Sequence, residues 1–379
     1  MSEYVRQMPD SIGPLVRPPG MARQLHIDLP LLGLLLLLTG YGLFVLYSAS
    51  GQSMAAVLRQ GRFFLVGFVV MFAIAQFSPV RWARWSPWGY LLGVILLVAV
   101  VFAGDGAKGA QRWLVLGGFR FQPSEIMKLA VPMTVAWYLG SRIVPPSPRY
   151  IAACLVIIVI PFGLIVQQPD LGTSLLIAAS GLFGIFMAGI SWRFIFATFG
   201  LVIVSAWPAW IFGLQDYQKQ RILTLLNPES DKLGAGWNII QSKTAIGSGG
   251  WTGKGWGQGT QSQLDFLPES STDFIIAVLA EEFGLRGVLV LILLYGLIVL
   301  RSFWIGLNAQ SSYGRILCGS ITLTFFVYIF VNMGMVAGLL PVVGVPLPLV
   351  SAGGTSLVTL LAGFGLLMAV STEKRVVGQ

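Results

Sequence analysis

Histidine, cysteine and charge are all scarce in this chain of 379 residues. A single histidine, His26, leaves no material for a His-based metal site and argues against a Ser-His-Asp triad. The two cysteines, Cys154 and Cys318, both lie in apolar runs and supply neither a disulfide framework nor a Cys-rich zinc site. Charged residues make up 10% of the chain, against roughly a quarter in a typical soluble domain. Hydrophobic residues make up 55%, and the mean hydropathy is +0.79. A water-facing exterior needs more charge than this, so the composition excludes a soluble protein. The remaining charge is lopsided, with 24 basic against 15 acidic residues and a net +9. In a soluble chain that excess would suggest nucleic acid; here the placement of the charges decides.

What is abundant is apolar sequence in runs close to the roughly 20 residues that cross a bilayer as a helix. Ten runs qualify, at 29–47, 62–77, 88–103, 122–139, 150–166, 171–189, 193–213, 274–300, 314–340 and 345–370. The spacing predicts an all-α polytopic membrane protein of ten transmembrane helices, with a long loop, 214–272, between the seventh and eighth. The fifth and sixth runs, parted by Gln167-Gln168-Pro169-Asp170, read as one interrupted element or two tilted helices. The run 29–47 is too long for a cleavable signal and more spans follow it. Expected boundaries are a tail at 1–24, a membrane domain at 25–372 and a tail at 373–379. Positive charge in short loops stays cytoplasmic. With the N-terminus inside, the inner side carries twelve Lys and Arg and the short outer loops five, Arg59, Arg62, Lys108, Arg112 and Arg120. Both termini are thus expected in the cytoplasm and the long loop outside, and the net charge reads as a topology signal, with no nucleic-acid partner.

In such a chain the informative residues are ionisable ones within the apolar band. Glu125 and Lys128 stand three apart on one helix face, either as a neutralising pair that lets the helix insert or as part of a substrate cavity. Asp170 follows Pro169 and serves either as a helix cap or as a functional acid. Between Gly247 and Gly259 lie seven glycines, interleaved with Trp251 and Trp256. That segment suits close approach to a ligand, or else a flexible surface loop. Gly253-Lys254-Gly255 lacks the rest of a phosphate-binding loop, and Gly104–Gly109 matches a dinucleotide fingerprint only by chance, outside any strand-turn-helix context. Past the loop, a helix from about Thr272 would align Asp273, Ala277, Ala280, Glu281 and Gly284 in one small-and-acidic stripe, as a polar cavity wall requires. Asp273 could instead only complement the helix N-terminus.

Several segments in one order resemble the SEDS family (shape, elongation, division and sporulation). They are Lys108–Leu114, Phe121–Lys128, Gln168–Thr173, Gly234–Asn238, the Gly-Lys-Gly-Trp loop, Pro268-Glu269 with Thr272-Asp273-Phe274, and Pro348–Ser351. Together they run from about residue 25 to 372. Asn227–Asp231 and Pro341–Pro346 look like the rod-shape branch of the family rather than its division branch. The resemblance implies a ten-helix peptidoglycan glycosyltransferase of the bacterial cytoplasmic (inner) membrane. It implies polymerisation of lipid II for cell elongation and rod shape, beside a class B penicillin-binding protein that crosslinks the product.

The family's essential aspartate falls on Asp273, its intramembrane Glu/Lys pair on Glu125 and Lys128, and its outer Arg-Trp on Arg112 and Trp113. Two departures stand out: Ser270-Ser271 replaces the usual Gln/Arg-His, and Ala352 replaces a Tyr. The reaction joins a sugar hydroxyl to an anomeric carbon bearing a lipid pyrophosphate, and needs a base, charge stabilisation and positioning. The expected assignment makes Asp273 the base on the acceptor GlcNAc 4-hydroxyl. Arg112 and Lys128, with room for a divalent cation (Mg or Mn), offset the pyrophosphate; Glu125 holds Lys128. Asp170, Glu281, Ser351, Gly353 and Gly354 complete the expected substrate site, and no organic cofactor is expected. The alternatives are a lipid II flippase and a non-catalytic scaffold.

Overall fold

Asp28 starts the first helix because its carboxylate accepts the Leu31 amide at 3.0 Å, with Pro30 in the first turn. From there the computed structural model describes residues 25–373, apart from 104, 108–109, 117–118, 144, 191–195, 197–199, 201–203, 206, 232–233, 264–266 and 268. Nine of the ten predicted runs are helices: α1 Leu29–Ala49, α2 Met54–Ala75, α3 Pro79–Ala103, α4 Pro123–Gly140, α5 Pro148–Gln167 and α6 Leu171–Met187. After the long loop come α10 Ile275–Leu307, α11 Ser312–Val336 and α12 Thr355–Ser371. Of the other run, 193–213, ten of the 21 residues lie outside the described residues. The loop carries α7 Asp216–Leu226, α8 Ala235–Gly249 and the single turn α9 Thr260–Gln263. At 21 residues α1 is about 31 Å long, the thickness of a bilayer's hydrocarbon core.

Small residues let these helices approach where lipid supplies no hydrophobic drive. A methyl added at Gly365 of α12 would stand 2.5 Å from the Met71 carbonyl of α2, and these two helices pack along their length. The fifth and sixth runs are two separate helices in a hairpin, since Gly181 of α6 packs directly on Ile158 of α5. The core runs the height of the bundle, from Leu31 and Leu35 of α1 to Leu361 and Leu367 of α12. Cys154 and Cys318 are buried, unbonded members of it. At the end away from the long loop, Arg301 grips Asp28 through Nε at 3.0 Å and Nη2 at 2.7 Å, and His26 Nδ1 meets the Thr372 hydroxyl at 3.0 Å.

Three features differ from the sequence expectation. The connection between α3 and α4 folds as an antiparallel ribbon, β1 Asp105–Ala107, β2 Ala110–Leu116 and β3 Phe119–Phe121, which the all-helical reading missed. The tenth helix starts at Thr355, not near 345, because Pro341, Pro346 and Pro348 keep residues 337–354 out of helix. The eighth span breaks at Gly284, whose φ is +64°. The backbone groups that break releases are taken up by the glycine-rich loop. Lys254 and Gly255 amides donate to the Glu281 and Glu282 carbonyls at 3.0 and 2.9 Å, and the Leu285 amide donates to the Gly250 carbonyl at 2.9 Å. A side chain at Gly284 would stand 2.5 Å from the Gly253 nitrogen, and one at Gly253 would collide with the Glu282 carbonyl. The loop is therefore not a free flap; it splints a broken membrane helix. Trp256 anchors it by stacking on Phe44, ring centroids 4.7 Å apart.

Candidate active site

The proline-broken segment 341–354 organises the candidate site. Its Val343 carbonyl abuts Gly172, in the first turn of the helix that Asp170 caps. Next along, Gly344, with φ +74°, faces Asp273: a methyl there would lie 3.6 Å from Oδ2. Val345 then meets Asn332, a fully buried amide of α11 whose Nδ2 donates to the Val345 carbonyl at 2.7 Å and the Asp273 carbonyl at 2.8 Å. Residues Pro346–Leu349, Ser351 and Gly353 share a narrow cleft with Lys128 and Tyr328. One irregular strand of backbone thus touches, in sequence, the surroundings of Asp170, Asp273 and Lys128.

Each predicted residue has a definite place. Asp273 is half-buried in a turn just before α10, so the helical stripe from Asp273 to Gly284 does not form; the helix begins at Ile275. Lys128 Nζ binds Glu125 Oε1 at 2.7 Å and lies 5.4 Å from the centre of the Tyr328 ring. Glu125 is 4% exposed, its Oε2 has no partner among the described residues, and it borders an apolar cavity of about 780 Å³ between α2, α3, α4 and α12. Asp170 both caps α6 through the Thr173 amide at 3.2 Å and draws Arg112 Nη1 to 3.6 Å, so cap and ion pair coexist. Arg112 also donates to the carbonyls of Gln168 and Pro169, tying the β-ribbon to the α5–α6 turn. Trp113, half-buried on the same strand, pairs in register with Asp105.

Ser351 is a staple: its hydroxyl donates to the Thr272 carbonyl at 2.5 Å and accepts the Leu347 amide at 2.9 Å. Gly353 donates to Gln60 Oε1 at 3.1 Å, and Gln60 Nε2 donates to the Ser351 carbonyl at 3.1 Å. Gly354 ends the segment against Phe63. Glu281 is not brought to this cleft. Fully buried, it binds Lys254 Nζ at 2.7 Å and accepts amides from Thr260 and Gln261, which holds the glycine-rich loop on α10. The eight-residue spacing that suggested a shared stripe assumed unbroken helix from Thr272.

Sequence reading passed over Gln60, Tyr328 and Asn332. The available signal was the same that found Glu125: a polar side chain inside an apolar run, which asks for a partner. Among the described residues no three His, Cys, Asp or Glu side chains gather as a metal site.

A polytopic helical membrane protein with a buried ion pair and an acid at a loop–membrane junction is the class these features define. The chain belongs to the cell cycle protein family of FtsW, RodA and SpoVE, whose model matches residues 29–376. It is 51% identical over 356 residues to the peptidoglycan glycosyltransferase MrdB of Escherichia coli K12, covering 94% of this chain and 96% of that protein. It is 37% identical over 363 residues to a probable peptidoglycan glycosyltransferase FtsW of Trichlorobacter lovleyi, covering 92% and 94%. Among solved structures it matches rod shape determining protein RodA of Thermus thermophilus with TM-score 0.70 at 27% identity, over 92% of this chain and 97% of that one. A chain from a peptidoglycan synthase complex that coordinates polymerization and crosslinking matches with TM-score 0.80 at 29% identity, over 91% and 97%.

Proposed function

We propose that this protein is a peptidoglycan glycosyltransferase that polymerises lipid II in the bacterial inner membrane for cell elongation and rod shape. The observation that carries the mechanism is the contact of segment 341–354 with the surroundings of Asp170, Asp273 and Lys128 in turn. In the proposed reaction the acceptor sugar hydroxyl gives its proton to the Asp273 carboxylate. The oxygen attacks the donor's anomeric carbon, and the carbon–oxygen bond to the lipid diphosphate breaks. Undecaprenyl diphosphate leaves with the bonding electron pair. General-base assistance of this kind is worth roughly 10²- to 10⁴-fold.

The diphosphate gains charge as it departs, and Arg112 and Lys128 are the cations proposed to offset it. Glu125 fixes Lys128, and Asp170 fixes Arg112, so both cations are held before substrate arrives. Such preorganisation is what makes electrostatic stabilisation effective. Trp113, Gly353 and Gly354 remain proposed substrate contacts, while Ser351 holds the backbone that frames the site and Glu281 holds the glycine-rich loop on α10. The twelve-to-five bias of Lys and Arg supports cytoplasmic termini, which would set Asp273 at the outer face. A class B penicillin-binding protein is the proposed crosslinking partner there.

Purified protein in liposomes with labelled lipid II, and no other polymerase, tests the reading. Glycan strands longer than one disaccharide are the expected product. Transfer of lipid II across the bilayer without strands would make it a flippase. Absence of both activities would leave a scaffold.

A further inference from the structure

The break in α10 parts two lengths of helix with different surroundings. Past it, residues 285–307 mix buried and exposed positions, as a lipid-facing span does. Before it, every residue from Ile275 to Glu282 is buried. That enclosed length, Ile275–Phe283, follows directly on the turn that holds Asp273. In an unbroken helix the Leu285 and Arg286 amides would donate to the Glu281 and Glu282 carbonyls. Both bonds are exchanged for bonds to the glycine-rich loop. The two carbonyls accept the Lys254 and Gly255 amides at 3.0 and 2.9 Å. The Leu285 and Arg286 amides donate to the Gly250 and Trp251 carbonyls at 2.9 and 3.3 Å. The loop thus stands between the two lengths, and the place of the enclosed one follows the loop as well as the membrane span.

Side chains lock that junction. Glu281 is fully buried, and its Oε1 accepts from Lys254 Nζ at 2.7 Å, the Thr260 amide at 2.8 Å, the Thr260 hydroxyl at 3.0 Å and the Gln261 amide at 3.1 Å. Lys254 supplies the charge among these donors. Glu282 accepts the Ser48 hydroxyl of α1 at 2.5 Å. At the other end Ser351 and Asn332 hold the Thr272 and Asp273 carbonyls at 2.5 and 2.8 Å. The short helix is therefore pinned from the cleft at its start and from the loop at its end. We propose that Lys254 is a positioning residue for Asp273: locked on Glu281, it fixes the short outer helix that carries the proposed base. It acts through the place of that carboxylate and not on substrate. A buried carboxylate stripped of its ammonium is strongly disfavoured, so loss of Lys254 would loosen the loop and the helix together. A displacement of about 1 Å at a reacting group can cost roughly 10²-fold in rate.

The inference rests on the polymerase reading with Asp273 as its base, and the experiment separates the two. Initial rates of strand formation are measured against lipid II concentration for the parent, Lys254→Met, Lys254→Arg, Asp273→Asn and Lys254→Met combined with Asp273→Asn. Lys254→Met should lower kcat roughly 10- to 100-fold while KM stays within about twofold of the parent's. Lys254→Arg keeps the charge and should recover most of that loss. In the Asp273→Asn background, Lys254→Met should cost less than about twofold, because its effect runs through the carboxylate already removed. Lys254→Met with Glu281→Gln leaves neither charge alone and covers the event that Lys254→Met does not fold; its kcat should be lowered in the same way. Amide exchange over residues 272–283 needs no catalysis. It should quicken about tenfold where the ion pair is removed and stay parental in Lys254→Arg. An equal fold loss in both backgrounds, or a parental kcat in the folded variants, overturns the inference alone. A parent that makes no strands, while amide exchange responds as stated, leaves the hold of Lys254 on the helix standing and overturns the polymerase reading.

Discussion

Glu125 and Lys128 show how much one contact does for a membrane helix. A lone carboxylate or ammonium within the apolar band is costly, and pairing at 2.7 Å offsets part of that cost for both. Replacing either alone leaves the other charge buried, a loss of about 3–5 kcal/mol. Glu125→Gln combined with Lys128→Met should recover much of that stability, read as the unfolding temperature in detergent. It should not recover polymerisation, because the cation proposed to offset the diphosphate is gone. A double variant that polymerises at the parent's rate would remove Lys128 from the mechanism. At this scale Glu125, Lys128, Asp170, Arg112 and Asp273 stand out in the sequence as charges in or beside apolar runs, and the structure pairs Glu125 with Lys128 and Asp170 with Arg112. Glu281 was misread for a physical reason. Its partner Lys254 arrives from a loop 27 residues earlier, and no helical periodicity encodes that meeting.

Elements were legible where hydrophobic length alone decides them, as in α1 and α11, while α5 and α6 could also be read as one interrupted element. They were less legible where apolar composition hides a break. Residues 337–354 are as greasy as a span, yet three prolines and Gly344 make them the backbone that contacts Asp273 and Lys128. Gly284 looked like a small residue on a smooth helix; its positive φ and the glycine-rich loop that splints it are tertiary facts. They also make a prediction about α10. Gly284→Ala adds a methyl 2.5 Å from the Gly253 nitrogen at a φ of +64°. The strain is of order 1–3 kcal/mol. The variant should melt at a lower temperature, and limited proteolysis should cut between 250 and 259 faster than in the parent. Unchanged melting and unchanged cleavage would mean that the loop does not splint the helix.

For the whole molecule, orientation decides whether the site can work. The account needs the end carrying the long loop to face outward, where polymer is made. Gln258→Cys and Pro146→Cys, each introduced singly after Cys154 and Cys318 are replaced, should respond oppositely to an impermeant thiol reagent added to intact cells. Residue 258 should label and residue 146 should not; the reverse pattern would put Asp273 on the cytoplasmic side. The central claim is that Asp273 takes the proton from the acceptor hydroxyl. The most direct measurement is the rate of glycan-strand formation from lipid II by purified Asp273→Asn, beside the parent and Asp216→Asn, an exposed acid of the long loop. The amide keeps size and polarity but cannot accept the proton. With melting temperature and lipid II binding retained, Asp273→Asn should polymerise roughly 10²- to 10⁴-fold more slowly and Asp216→Asn at close to the parental rate. A folded Asp273→Asn protein polymerising within a few-fold of the parent would contradict the account.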